Sequence, residues 1–250
     1  MSVWLTIPSK RPPEEVEPVL KQWRERGYKI ALWRDYVDAP ADCNFLQRSL
    51  KYPGYAKAVN HLIGCLLDLQ PDAEWFIAAG DDVLPDPNHT AEEIARKCRD
   101  HFEGLHQARG FDRGLAPIYK IGLFGVMQPT GDRWGDKNGA YIDRVAGSAW
   151  IGREFARRVN HGRGPLWPEY FHMFVDEELQ EVATGFGVFW QCSDLTQLHQ
   201  HWGRPHEGEK LGQASRMPAF LRKANDQFAE ARELFNRRKA QGFPGSELVS

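Results

Sequence analysis

Apolar and polar positions along the first hundred residues switch repeatedly between a period of two and a period near 3.6. Val3–Ile7 is a short apolar and β-branched run closed by Pro8, which predicts a strand. After a polar loop, Val16, Val19, Leu20 and Trp23 share one helical face, and Pro18 is expected either to start that helix or to kink it. Gly27 ends the helix, and Tyr28–Trp33 reads as a second strand finishing at Arg34 and Asp35. Val59, Leu62, Ile63 and Leu66 recur at helical spacing between Tyr55 and Leu69, and Pro71 closes that element. Trp75–Ala79 is apolar throughout, as in a strand buried on both faces. Thr90 and Glu93 form a capping box for a further helix that turns Ile94, Ala95, Cys98 and Phe102 inward. This alternation predicts an α/β protein with a mostly parallel sheet and helices on both faces.

The second half is read more coarsely. Ile118–Val126 and Arg144–Ile151 are expected as strands, joined by the glycine-rich loop Gly131–Gly139, which has no periodicity and serves as a lid or as a plain surface connection. Val175–Ala183 is expected as a helix and Gly187–Cys192 as a late strand. From Pro218 to Ala240, Leu221, Ala224, Phe228, Ala231 and Phe235 form one stripe, so a packed helix ends the chain. With no repeat or linker in view, residues 1–203 are taken as one catalytic domain and 204–250 as a C-terminal helical extension.

Composition narrows the function classes. A length of 250 residues supports a sizeable core, and a net charge of -2 argues against a generally nucleic-acid-coating surface. From Arg204 to Lys239, nine Lys/Arg stand against five Asp/Glu, which fits either an anionic partner or a solvated helix face. No apolar run approaches the ~18 residues that span a bilayer, and the opening residues lack a signal-peptide pattern, so no transmembrane segment and a cytoplasmic location are expected. Cys43, Cys65, Cys98 and Cys192 include no CxxC pair, which indicates neither a zinc knot nor a disulfide framework.

Chemistry gathers where strands end. Glu74–Pro87 runs an apolar strand into Gly80-Asp81-Asp82 and then two prolines, placing adjacent carboxylates on a loop at a sheet edge. Two acids there suit a divalent metal or a general base, and they equally suit an ordinary turn. There is no GxxxxGK[ST] loop, GxGxxG after the first strand, HExxH or GxSxG, so a phosphorylated ligand needs another device.

Seven segments in order supply one. They are Ile7-Pro8-Ser9-Lys10-Arg11, Asp35, Gly54–Asn60, Gly80–Pro85, Ala146–Arg153, and Phe174–Leu179 with Leu198–Trp202 downstream. Their order and spacing over residues 3 to 202 resemble the GT-A fold glycosyltransferases of the family 2 type, a Rossmann-like arrangement. The resemblance implies a metal-dependent, inverting transfer of a sugar from a nucleotide-sugar donor, UDP-sugar first among them, to an acceptor hydroxyl. It places Pro8, Ser9 and Arg11 against base and ribose, with Asp35 reading one of the two. Lys57 and Asn60, one helical turn apart, would face the donor, and Gly147 would lie beside its sugar. Asp82 takes the position of the family's metal-binding aspartate, and His199 or His201 would complete the shell of Mn²⁺ or Mg²⁺. Gly80 stands where the family has its first aspartate, which leaves Asp81 to the donor ribose or to a supporting role. Asp176 corresponds to the catalytic base, with Glu177 as the alternative; three acids opening a helix would also simply complement its dipole.

The acceptor stays open between a glycan, a small molecule and a hydroxymethylated DNA base. For DNA, Arg133, Trp134, Trp202, Arg204, Arg216, Arg222 and Lys223 offer phosphate contacts and stacking. Two other classes compete: a nucleotidyltransferase, disfavoured by the missing glycine-rich loop after strand one, and a non-enzymatic module in which Gly80-Asp81-Asp82 is only a turn.

Overall fold

The computed structural model describes residues 1–35, 41–109, 121–131, 134–135, 141–142, 147–200 and 221–249. The strands are β1 (Ser2–Ser9), β2 (Lys29–Asp35), β3 (Phe45–Ser49), β4 (Ala73–Ala78), β5 (Val126–Thr130), β6 (Trp134–Gly135), β7 (Tyr141–Ile142), β8 (Trp150–Gly152) and β9 (Phe189–Thr196). The helices are α1 (Pro13–Glu25), α2 (Tyr55–Leu69), α3 (Ala91–Arg109), α4 (Arg153–Arg158), α5 (Val175–Gly185), α6 (Arg222–Asp226) and α7 (Phe228–Ala240). Seven strands form one sheet in the order β3-β2-β1-β4-β8-β5-β9, and β6 pairs with β7 apart from it. Every pairing in the sheet is parallel except those of β8, which runs antiparallel to both β4 and β5. The fold is therefore α/β, a mostly parallel sheet flanked by helices.

The periods in the sequence dictate the layers. β4 is buried along its whole length, so its apolar run packs on both faces. On one face Ala56, Val59, Leu62, Ile63 and Leu66 of α2 join Phe155 of α4 and Leu179 and Val182 of α5. On the other, Val16, Leu20 and Trp23 of α1 meet Ile94, Ala95, Cys98 and Phe102 of α3. Filling such a site matters: truncating a buried tryptophan like Trp23 to alanine costs roughly 3–5 kcal/mol. The capping box forms, with Thr90 N donating to Glu93 Oε2 at 2.8 Å and Glu93 N to Thr90 Oγ1 at 3.3 Å. No helix among the described residues is long and apolar enough to cross a membrane.

Several boundaries differ from expectation. α1 starts at Pro13 and runs through Pro18, because Pro12 and Pro13 supply the fixed φ that suits a helix start. β3 was not anticipated: it is an edge strand with only two apolar residues and no buried side chain, so it carries no apolar signal. The strand expected at Ile118–Val126 begins only at Val126; residues 118–120 lie outside the described residues, and Ile121–Leu123 form a 3-10 turn. Gly122 and Gly125 explain the displacement, since a Cβ on either would strike side chains of α3, Glu103 and Arg99 at the first and Phe102 at the second. The Arg144–Ile151 strand shortens to Trp150–Gly152, with 143–146 outside the described residues, and the short α4 follows it. Gly131–Gly139 includes β6, and most of its other positions lie outside the described residues. The tail is two helices that meet at Gln227, with Ala224 buried and Ala231 and Phe235 packed on the core, while Phe228 is largely exposed.

Candidate active site

In a parallel sheet all carboxyl ends share one edge, and each crossover helix starts at that edge before returning. β1, β2, β4 and β9 therefore deliver Ser9, Asp35, Asp81–Asp82 and His199 to one side of the molecule, and the first turns of α2 and α5 deliver Tyr55 and Asp176 there. β8 runs the other way, so Gly147 just ahead of it lies at the same edge, where Ala149 O accepts from Ala78 N at the end of β4.

Asp81 is the centre of the first cluster. It is 7% exposed, takes a 2.6 Å bond from Ser9 Oγ and a 2.9 Å bond from Arg11 Nε. Burial pushes its carboxyl up from 3.8; Arg11 and Ser9 oppose that, and the neighbouring Asp82 adds to it. Arg11 Nη2 also lies 3.8 Å from Asp82 Oδ2. Arg34, which the sequence reading passed over, braces the loop from below, donating from Nη1 to Arg11 O at 2.8 Å. It is 1% exposed, and its Nε and Nη2 are buried with no hydrogen-bond partner among the described residues, as is Asp35 Oδ1. Burial raises the Asp35 carboxyl, with Lys10 opposing. Arg11, Glu15, Val19, Asp81, Asp82 and Gln200 line an open cleft of about 370 Å³.

Asp82 is held against the segment that follows β9. Gln200 N donates to Asp82 O at 2.7 Å, Leu84 N to Leu198 O at 2.9 Å, and Trp23 Nε1 of α1 to Val83 O at 2.8 Å. These contacts bring His199 Nε2 to 3.3 Å from Asp82 Oδ1. A carboxylate and an imidazole are ligand types that Mn²⁺ accepts, but among the described residues no group of three or more His, Cys, Asp or Glu side chains is placed to hold a metal ion. His201 lies outside the described residues. A Cβ on Gly80 would sit 2.5 Å from Asp82 Oδ1, so an aspartate at position 80 would have to displace this carboxylate.

The second cluster comes from Leu166–Glu178. Among the described residues no hydrogen bond or ion pair engages Asp176, whereas Glu178 is 2% exposed and fully bound by Tyr170 and Arg238. Glu177 Oε2 is buried. His172 is the residue that sequence reasoning missed: burial lowers its imidazole, Asp176 and Asp82 pull the other way, and His199 adds to the lowering. The charges of Asp176, Asp82 and His199 thus all bear on this one imidazole. Tyr55 stands edge-on to it at 5.5 Å between ring centres, and burial raises the Tyr55 hydroxyl, with Asp176 and Asp82 contributing. The signal that could have revealed His172 was its place four residues before Asp176 in the run Phe171-His172-Met173-Phe174.

Lys57 and Asn60 separate. Lys57 is exposed on the outer side of α2, while Asn60 Nδ2 donates to Leu166 O at 2.6 Å and Asn60 Oδ1 accepts from Leu166 N at 3.0 Å. Both ends of the Asn60 amide are thus spent anchoring the Leu166 segment, and Gly164 (φ +102°) packs so closely that a Cβ there would lie 2.6 Å from Asn60 Cγ. Gly54 (φ +100°) allows the same approach at Phe171, whose carbonyl accepts from Tyr55 N at 2.6 Å. Of the basic set offered for DNA, Lys223 Nζ sits 4.5 Å over the Phe171 ring and Arg222 is exposed; Arg133, Trp202, Arg204 and Arg216 lie outside the described residues.

No family model matches the chain, and no curated protein does. Solved structures do. The catalytic domain of Drosophila beta1,4galactosyltransferase 7, complexed with xylobiose, matches at 14% identity and a TM-score of 0.44, over 86% of this chain and 78% of that one. A protein from STIV matches at 12% identity and a TM-score of 0.42, over 80% of this chain and 86% of its own. A glycosyltransferase involved in glycosylation of the major capsid of PBCV-1 matches at 10% identity and a TM-score of 0.32, over 61% and 60%.

Proposed function

We propose that this protein is a glycosyltransferase that moves a sugar from a nucleotide-sugar donor, UDP-sugar first among them, to an acceptor hydroxyl with inversion. The observation that carries this reading is the placement at one sheet edge of a hydrogen-bonded carboxylate–guanidinium cluster, a carboxylate–imidazole pair and an aspartate that no described residue engages. The cluster is the donor side. The orphaned atoms of Arg34 and Asp35 fit the polar groups of a nucleoside, Asp81 fits a ribose hydroxyl, and Arg11 offers a cation to the diphosphate.

Asp82 and His199 would hold Mn²⁺ or Mg²⁺, whose charge supplies neutralisation of the leaving diphosphate. Asp176 is the base. With no hydrogen-bond or ion-pair partner among the described residues, it would accept the proton of the attacking hydroxyl, and at about 3 Å such a base contributes roughly 10²–10⁴-fold. His172, kept neutral by burial, would orient that hydroxyl beside Asp176. Glu178 is not available for this role, being bound on both oxygens.

Calorimetric titration of UDP into the full chain, in Mn²⁺ and in EDTA, with wild type and Asp82→Ala, tests the reading. Micromolar binding that needs both the metal and Asp82 is expected. If UDP, GDP, CDP and dTDP all fail to bind, the transferase reading falls.

A further inference from the structure

The first turn of α5 carries three acids, yet its start has no side-chain cap: Phe174 occupies the N-cap position in a left-handed conformation, φ 65°. Something other than the local sequence must therefore fix where Asp176 points. The fixed point is Glu178, and its partner comes from the far end of the chain. Arg238 of α7 donates from Nη2 to Glu178 Oε1 at 2.7 Å and from Nε to both oxygens, at 3.0 and 2.9 Å. Tyr170 Oη adds a 2.8 Å bond to Oε2. The two side chains are 7% and 3% exposed. The guanidinium carbon lies over Trp167, 3.4 Å from the ring centre, and the remaining Nη1 donates to Pro244 O at 3.0 Å.

One side chain thus holds both ends of the loop that presents His172. Trp167 and Tyr170 precede His172 and Glu178 follows Asp176; Arg238 touches Trp167 and Glu178 directly and reaches Tyr170 through the Glu178 carboxylate. A buried ion pair adds little net stability over apolar side chains of the same volume, but a two-pronged one fixes position closely. The donor cluster is built differently, from bonds among β1, β4 and the segment after β9 in which Arg238 takes no part.

We infer that Arg238 is a positioning residue for transfer: through Glu178, the C-terminal helix sets the place of Asp176 and His172 and leaves donor binding untouched. The inference rests on the reading of Asp176 as the base. Misplacement of a catalytic group by about 1 Å costs on the order of 100-fold in rate.

The test compares Arg238→Lys, Glu178→Gln and the neutral double variant Glu178→Gln/Arg238→Met in the full chain. Four quantities are read: Tm, UDP affinity with Mn²⁺, kcat for transfer, and amide hydrogen exchange of residues 171–178. Arg238→Lys keeps the charge and loses the fork, so UDP affinity should stay within about twofold while kcat falls about tenfold to 100-fold and exchange rises at 171–178 alone. In the double variant Tm should recover relative to the worse single variant while kcat stays low. A kcat that recovers together with Tm would reduce Arg238 to a stabilising contact and overturn the inference. Wild-type kcat and wild-type exchange in folded Arg238→Lys would overturn it as well. If neither single variant folds, the double variant against wild type carries the same comparison. Should wild type bind no nucleotide and transfer no sugar, the proposed function fails on its own, and unchanged exchange at 171–178 in Arg238→Lys still decides against the clamp.

Discussion

The donor cluster and the Leu166–Glu178 segment meet in one site but are held in opposite ways. Ser9, Arg11, Asp81 and Asp82 sit at the ends of two neighbouring strands and bind one another. The Leu166–Glu178 segment is fastened from outside, by Asn60 and Tyr55 of α2 and by Arg238 of α7. A cluster that satisfies its own charges is formed before any ligand arrives, and a ligand must compete with it. The second segment, fastened at three distant points, carries Asp176 and His172 between its anchors. The first arrangement suits tight recognition of one ligand type, and the second suits chemistry whose acceptor can change without rebuilding the sheet.

The largest expected effect separates these halves outright. Asp176→Asn keeps the size of the side chain and removes the base, so kcat for transfer should drop about 10²–10⁴-fold while UDP affinity changes less than about twofold. Stopped-time product assays beside calorimetry read both quantities on one preparation. Equal losses in affinity and turnover would mean that the two halves are not separable and that Asp176 belongs with the donor.

The same contrast governs what could be read before the structure. Strand ends announce themselves, because an apolar run followed by glycine, acid and proline is a local signal, and Asp81, Asp82, Ser9 and Arg11 were all legible as one edge. Helices with strong periodicity were equally legible, α2 from Tyr55 to Leu69 above all. Asn60 looked like a ligand-facing residue because helical spacing says which residues share a face and nothing about what lies opposite. Its true partner, Leu166, is 106 positions away. Arg238 was one of nine basic residues in a stretch that read as a face for an anionic partner or for solvent, and only the fold sets it on Glu178, 60 positions away. The two-residue apolar signal of β3 was too weak for the opposite reason, since an edge strand needs no buried face to form.

Arg11→Met probes the self-satisfied half. The Asp81 carboxyl is already raised by burial, and removing Arg11 takes away the strongest influence holding it down, so it should rise further. A carboxyl whose folded value stands above 3.8 is fully tolerated below that pH and costs stability as pH rises through the folded value, where burial meets the ionised form. The variant should therefore lose stability mainly at neutral pH and above. The loss should be about 1–3 kcal/mol, the usual cost of stranding a buried polar group, and it should shrink toward about pH 4. Urea midpoints of wild type and variant at both ends of that range measure it. A loss independent of pH would mean that Arg11 supports the loop through packing alone and that the Asp81 charge is not what it serves.

The smallest effect concerns His172, where the halves touch. Burial lowers its imidazole against the pull of Asp176 and Asp82, with His199 lowering it further and Tyr55 stacked at its edge. A histidine depressed in this way leaves stability intact above its ordinary 6.5 and withdraws it as pH falls through the folded value, because the protein must then accept a buried charge. His172→Gln removes that proton uptake, so its unfolding midpoint should fall less steeply than that of wild type below about pH 6.5. His106 provides the internal reference: it too is lowered by burial, with the Phe124 carbonyl opposing, but it sits in the last turns of α3. His106→Gln should flatten the same slope without touching transfer, whereas His172→Gln should flatten it and lower kcat. Both variants flattening the slope with kcat unchanged would place His172 among the packing residues, and the contact between the two halves would then rest on Asp176 and Asp82 alone.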